Sequence, residues 1–247
     1  MQAEGAVIPQ ARLRWLEQGT ISEIMTGELF ANRTLVLFAL PGAFTPTCSS
    51  LHLPQYEELM PSLREAGVDE VVCIAVNDAF VMAQWGAQQQ VREVRLLADG
   101  NGEFTEAMGM LLDDSRLGMG RRSRRYSMLV RDGRIEKIFA EAEGDGDPFK
   151  VSDAATMLRY LAPDKAAPPH IALLSKPGCP FCAKARAMLD EHGLRYTDVP
   201  LPDATRARVL AAIAGASSTP QVYVDGQLIG GSEQLEAWLG ARARTTA

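Results

Sequence analysis

Four cysteines are the most reactive side chains of this 247-residue sequence, and three of them stand in patterns that chemistry can use. Cys179-Pro-Phe-Cys182 is a C-x-x-C pair lying between the apolar run Ile171-Ala-Leu-Leu174 and a helical stretch from Pro180 to His192, stopped by Gly193. Both thiols then fall on one face of the helix and can close or open a disulfide. Unpaired N–H groups and the macrodipole at the helix start favour an anion, which predicts a lowered pKa for Cys179. Lys176 adds positive charge nearby. A strand followed by C-x-x-C and a helix is the context of a dithiol redox motif. The competing role, half of a zinc site, needs a second ligand pair. His52, His170 and His192 are isolated in the sequence, so no metal site is expected.

Cys48 ends Pro41-Gly-Ala-Phe-Thr45-Pro-Thr-Cys48, which follows the apolar run Thr34–Leu40. It opens a short helical stretch, where a thiolate again gains from the helix N-terminus. Thr45, three residues earlier, can offer a hydroxyl to the sulfur or to a bound oxygen, and Pro41 and Pro46 stiffen the loop and shield the sulfur from water. A peroxide-reducing thiol needs such features, together with a positive charge for the departing oxygen. The plainer role of a lone cysteine is a small buried hydrophobe. That reading suits Cys73, inside the apolar run Val71–Val76.

The elements that position these thiols fall into two patterned regions. In the first, strands are predicted at Thr34–Leu40 and Val71–Val76, with a helix over Pro54–Gly67 and another capped by Asp78. Ser127–Val130 and Arg134–Phe139 flank the hairpin signal Arg131-Asp132-Gly133, and Ser152 or Asp153 caps a last helix through Leu161. The second region repeats the order: strand 171–174, helix 180–192, strand Arg195–Val199, and a helix capped by Asp203. A hairpin about Asp225-Gly226 and a helix capped by Ser232 close it. This alternation predicts an α/β fold used twice. Between the regions, residues 163–169 with Pro163, Pro168 and Pro169 read as a semi-stiff, extended linker joining domains 1–162 and 170–247.

Composition narrows the classes. Hydrophobic residues make up 47% and charged residues 23%, as in ordinary globular domains, and no apolar run approaches the roughly 20 residues of a membrane span. The net charge of −6 argues against a nucleic-acid partner. It is uneven: residues 1–161 hold 16 Lys/Arg against 23 Asp/Glu, and residues 166–247 hold 8 against 7. The basic run Arg121-Arg-Ser-Arg-Arg125 stands out on that acidic background; Arg121 and Arg122 are expected to be solvated. Met1–Gln10 has no basic residue and no apolar block after it, so no export signal is expected. Four cysteines are too few for a secreted disulfide scaffold, and the expected compartment is the cytoplasm.

The second region resembles the glutaredoxins. Cys-Pro-Phe-Cys, Thr219-Pro220 and Gly230-Gly231-Ser232 match the family's active-site pair, its cis-proline dipeptide and its glutathione-binding turn. By that resemblance Lys176 and Phe181 line a glutathione groove, and Thr219, next to Pro220, pairs its backbone with the tripeptide. Gly231, Ser232 and Glu233 would hold the γ-glutamyl end at a helix N-terminus. The first region resembles the type-5 peroxiredoxins through Pro41–Cys48, Ser49–Tyr56, Val76-Asn-Asp78, Leu97-Ala-Asp99 and Arg125-Tyr-Ser-Met128. The family's roles fall on Pro41, Thr45, the peroxidatic Cys48 and an active-site arginine assigned to Arg125, with Arg124 its nearest rival.

Together the resemblances imply two thioredoxin-like domains in tandem, a larger peroxiredoxin and a smaller glutaredoxin. They imply hydroperoxides as substrate, glutathione as reducing cosubstrate, no bound cofactor, and a dimeric or tetrameric homo-oligomer. Residues 74–178 contain no cysteine that could resolve a Cys48 sulfenic acid. Glutathione would do so, Cys179 would recycle the mixed disulfide, and a second glutathione, or Cys182 through an intramolecular disulfide, would clear Cys179. Two other readings stand beside this one. In the first, a peroxidase served by an external donor is joined to an independent deglutathionylase. In the second, the chain is a peroxide sensor or relay.

Overall fold

A computed structural model describes residues 1–142, 147–164 and 168–245, with side chains described up to 242. The chain divides into two compact units, Met1–Ala167 and Pro168–Ala247. Residues 165–167 of the linker anticipated at 163–169 lie outside the described residues.

The first unit opens with an antiparallel hairpin, β1 (Arg12–Glu17) and β2 (Thr20–Met25), followed by a short helix α1 (Thr26–Phe30). The parallel core strands are β3 (Thr34–Ala39), β4 (Glu70–Ala75) and β5 (Arg95–Ala98), linked by the helices α2 (Leu53–Glu65) and α3 (Ala79–Gln88). After α4 (Glu103–Ala107), a small hairpin of β6 (Leu111–Asp113) and β7 (Arg121–Ser123) stands apart as its own sheet. Strands β8 (Tyr126–Arg131) and β9 (Arg134–Ala140) and helix α5 (Ala154–Leu161) complete the unit. The seven-stranded sheet runs β2-β1-β5-β4-β3-β8-β9.

Alternation along β3 explains the layers. Val36 and Phe38 face a core shared with α2, α3 and α5, and Leu35 and Leu37 face one shared with α1 and α4. Both faces are covered, so the strand reads as a continuous apolar run. Cys73 points into the first core and is fully buried. The turn Asp132-Gly133 puts both residues at positive φ, the geometry that joins two twisted strands in a tight hairpin. Asp78 caps α3 by accepting from the Phe80 and Val81 N–H groups, and Asp153 caps α5 through the Thr156 N–H.

The second unit contains β10 (Ile171–Ser175), α6 (Pro180–Glu191), β11 (Thr197–Pro200), α7 (Asp203–Ala214), β12 (Gln221–Val224), β13 (Gln227–Gly230) and α8 (Ser232–Thr245). Its sheet order is β11-β10-β12-β13, with β10 and β11 parallel. The cap of α7 differs from expectation. Pro202 holds the cap position and Asp203 is already helical, where its charge complements the helix N-terminus. The strand expected at 195–199 is shifted to Thr197–Pro200 because it pairs with Ala172–Ser175.

The β1–β2 hairpin, α1, β5, α4 and the β6–β7 pair escape the sequence reading. The β1–β2 hairpin turns at Gln18-Gly19, both at positive φ, a signal present but weaker than Asn-Gly or Asp-Gly. The four-residue β5 is half-buried at Arg95 and Leu96 and gains its identity by pairing between β4 and β1.

Candidate active site

Cys48 sits where β3 ends and the chain winds through a wide helical turn, Cys48–His52, into α2. Its thiol is fully buried. Phe44 is held at φ 65°, a left-handed conformation unusual for a bulky residue and worth roughly 1–3 kcal/mol of local strain. The loop is tied down from a distance: the Asn77 side-chain oxygen accepts from the Ala43 N–H at 3.0 Å. Thr45 lies beside Pro41 and Pro46 on the wall of a cavity of about 760 Å³ that Arg124 and Arg125 also line. Its hydroxyl donates to the Gly42 carbonyl at 2.9 Å rather than to Cys48.

Arg125 immediately precedes β8, whose Tyr126 pairs with Ala39 at the end of β3. That register brings Arg125 to the Cys48 turn, where its Nη2 donates to the Cys48 Sγ at 3.3 Å. The same nitrogen reaches the Asp147 carboxylate at 2.5 and 2.6 Å, and Nε reaches it at 3.1 Å. Nη1 donates to His52 Nδ1 at 3.0 Å. A guanidinium can only donate, so His52 Nδ1 is the acceptor, and Nε2 carries the hydrogen toward the Ser152 carbonyl at 3.1 Å. Burial and the Arg125 charge hold the His52 pKa well below its ordinary value, so the ring stays neutral. Burial opposes the Arg125 charge, but Cys48 and Asp147 outweigh it and keep the guanidinium protonated.

The rest of the basic run separates by contact. Arg121 is exposed and pairs with Glu106. Arg122, expected to be solvated, instead donates to the Val76 and Met119 carbonyls at 2.8 and 2.9 Å, because β7 turns it inward. Arg124 reaches the Glu141 carbonyl at 3.1 Å. Sequence reasoning missed His52, Asn77, Glu141 and Asp147 as parts of this site. His52 carried a local signal, four residues after Cys48 on a helical turn; the others lie far away in sequence.

In the second unit Cys179 caps α6, accepting the Cys182 N–H on its sulfur at 3.1 Å. The Thr219 hydroxyl lies 3.7 Å from that sulfur, and the Thr219 carbonyl lies 3.6 Å from it. Burial pushes the Cys179 thiol up, but donors from Cys182, Thr219 and the Phe181 N–H outweigh it, and the net shift is downward. Cys182 is fully buried, and burial together with the neighbouring Cys179 raises its pKa. The two thiols are therefore shifted apart, Cys179 downward and Cys182 upward.

The Thr219–Pro220 bond is cis. Leu174 pairs with Gln221 and Val222 with Gly230, so one end of the sheet gathers the Lys176–Cys179 loop, Thr219-Pro220 and Gly230-Gly231. Ser232 is buried at the start of α8, whereas Phe181 and Glu233 are exposed. Gly231 N–H donates to the Gln234 side chain at 3.0 Å.

Among the described residues, no group of three or more His, Cys, Asp or Glu could hold a metal ion, and no helix is long and apolar enough to cross a membrane.

A buried thiol on an arginine in one thioredoxin-like unit, and a C-x-x-C pair beside a cis-proline in the other, define a thiol peroxidase fused to a thiol–disulfide exchange module. Comparison with known proteins agrees. A Redoxin family model matches residues 3–158 and a Glutaredoxin model matches residues 171–229. The chain is 49% identical to the hybrid peroxiredoxin hyPrx5 of Haemophilus influenzae, over 95% of this chain and 98% of that protein. It is 59% identical to the peroxiredoxin sll1621 of Synechocystis over 55% of this chain and 74% of that one. The crystal structure of reduced Prx3 from Vibrio vulnificus in complex with H2O2 superposes with a TM-score of 0.62 at 43% identity, covering 65% of this chain and 99% of the other. The chain belongs to the hybrid peroxiredoxins, in which a peroxiredoxin domain is followed by a glutaredoxin domain.

Proposed function

We propose that this peroxiredoxin is glutathione-dependent, with Cys48 as peroxidatic group and the glutaredoxin unit recycling it through Cys179. The observation that carries the reading is Cys73. Cys48 and Cys73 are the only cysteines of residues 1–167. Cys73 is fully buried within β4, and burial, with Cys48 nearby, pushes its thiol well above the ordinary value. It is neither accessible nor ionised, so the resolving thiol comes from outside the unit.

The Cys48 thiolate attacks one oxygen of the hydroperoxide. The O–O bond breaks, the oxygen bound to sulfur keeps its hydrogen as a sulfenic acid, and the other oxygen takes a proton from solvent and leaves as water or alcohol. Arg125 donates to the sulfur and to the charge that develops on the departing oxygen. Thr45, its hydrogen committed to Gly42, can accept the hydroperoxide O–H, and Pro41 and Pro46 wall the approach. A glutathione thiol then displaces the sulfenic hydroxyl as water and forms a mixed disulfide. The Cys179 thiolate attacks the glutathione sulfur and releases Cys48. A second glutathione clears Cys179 as glutathione disulfide, or Cys182 displaces glutathione to form an intramolecular disulfide that glutathione reduces.

Lys176 and Phe181 line the glutathione groove, Thr219 beside Pro220 offers its backbone to the tripeptide, and the α8 N-terminus with Gly231, Ser232 and Glu233 takes the γ-glutamyl end. We extend the reading to a cytoplasmic homo-oligomer, dimer or tetramer. The brevity of the 163–169 linker favours delivery to a neighbouring subunit.

The test is hydroperoxide consumption with glutathione as sole reductant. Wild type turns over, Cys48→Ser is inactive and Cys179→Ser stalls after about one turnover. Wild-type turnover by Cys179→Ser, or an absolute need for another donor, assigns the two units separate duties.

A further inference from the structure

Glu141 follows β9 directly, and its backbone N–H donates to the Arg125 carbonyl at 3.1 Å. Glu141 is buried, on the wall of the cavity that Thr45 and Arg125 also line, and its side-chain oxygen is taken up by the backbone. One carboxylate oxygen, Oε1, accepts four hydrogen bonds: from the N–H groups of Lys150, Val151 and Ser152 at 2.8, 2.9 and 2.9 Å, and from the Ser152 hydroxyl at 2.8 Å. A single acceptor thus satisfies three successive backbone donors.

The segment pinned in this way holds Arg125 from two sides. The Ser152 carbonyl accepts from His52 Nε2, and His52 Nδ1 accepts from Arg125 Nη1. Tyr56 donates its hydroxyl to the same carbonyl at 3.1 Å, which fixes that oxygen further. On the other side Asp147 takes Arg125 Nε and Nη2. Phe149, between Asp147 and the pinned amides, lies 5.0 Å from the His52 ring and 5.7 Å from the Arg125 guanidinium carbon. Among the described residues, the side-chain hydrogen bonds that orient the Arg125 guanidinium, other than the one to Cys48, go to Asp147 and to the histidine that Ser152 holds.

We propose that Glu141 is a positioning residue for the peroxidase reaction, which pins residues 150–152 and thereby fixes the Arg125 guanidinium against Cys48. The proposal rests on the role of Arg125 given above. It assigns Glu141 no contact with substrate: its effect passes through Ser152, His52 and Asp147 to the arginine.

The test is a double-mutant cycle on the full chain, read as the second-order rate of Cys48 oxidation by hydrogen peroxide in stopped flow. Trp85 is the reporter, since its indole N–H donates to the hydroxyl of Ser49, next to Cys48, at 3.0 Å. Glu141→Ala slows oxidation by about 10–100-fold, and Glu141→Gln, which keeps an acceptor oxygen, by about 3–10-fold. In an Arg125→Gln background both substitutions lose their effect, because there is no guanidinium left to place. Circular dichroism checks the fold, and if Glu141→Ala does not fold, Glu141→Gln carries the cycle. Effects that multiply independently of Arg125, or a Glu141→Gln variant as fast as wild type, overturn the proposal. An Arg125→Gln variant as fast as wild type overturns the reading of the site itself, and the proposal with it.

Discussion

Replacing Arg125 with lysine separates the charge of this residue from its shape. At the 3.3 Å separation of Nη2 and Sγ, a full charge pair at an effective dielectric constant of 20 is worth about 5 kcal/mol as an upper bound. Lysine keeps most of that charge. It cannot reproduce a planar fork that meets Cys48, His52 and Asp147 together, since an ammonium donates from a single point. The loss is one charge-assisted hydrogen bond to the reacting atoms, about 1.5–3 kcal/mol, or a slowing of about 10–100-fold. Arg125→Gln loses the charge as well and is slower again, by about 1,000-fold relative to wild type. The assay is stopped-flow oxidation of Cys48 at matched pH, with the Trp85 signal confirmed by trapping the sulfenic acid with dimedone. An Arg125→Lys variant within about two-fold of wild type would falsify the geometric part of the argument. Equal rates for lysine and glutamine would remove the electrostatic part.

Three further outcomes follow from the same geometry. His52 is held neutral in the fold, with a pKa below its unfolded value, so the unfolded chain takes up the extra proton as pH falls. The first unit is then expected to lose about 1.4 kcal/mol of stability per pH unit below roughly 6.5, with the slope reduced in His52→Gln; urea melts from pH 7.5 to 5.5 that show no such difference refute it. The lowered pKa of Cys179 predicts that its alkylation by iodoacetamide stays fast below the ordinary thiol range while Cys182 stays unlabelled, and a midpoint at or above about 8.5 contradicts this. Asn77→Ala strands the Ala43 N–H and loosens the Cys48 loop, costing about 1–2 kcal/mol of stability and about 10-fold in the rate of Cys48 oxidation, with no change in the glutaredoxin-unit disulfide exchange measured on a small mixed disulfide. An Asn77→Ala peroxidase rate equal to wild type denies the loop its remote anchor.

The sequence by itself determined what depends on near neighbours along the chain. Cys179 owes part of its lowered pKa to capping the helix that contains Cys182, a relation that spans three residues. The Asp78 and Asp153 caps and the Asp132-Gly133 and Asp225-Gly226 turns belong to the same class, each set by a backbone conformation that a short motif encodes. The apolar runs at β3 and β4 were legible because strands buried on both faces need no alternation. What surrounds Cys48 was decided by tertiary structure. Four arginines of one basic run look alike by residue type, and the pairing of Tyr126 with Ala39 selects Arg125 to reach the sulfur while Arg122 turns toward Val76. Asn77, Glu141 and Asp147 carry side chains that are common on solvated surfaces. Only the close approach of β3, β4, β8 and β9 and the 147–152 segment brings them against the Ala43 N–H, the 150–152 amides and the Arg125 guanidinium, and a buried donor is expensive to leave unpaired.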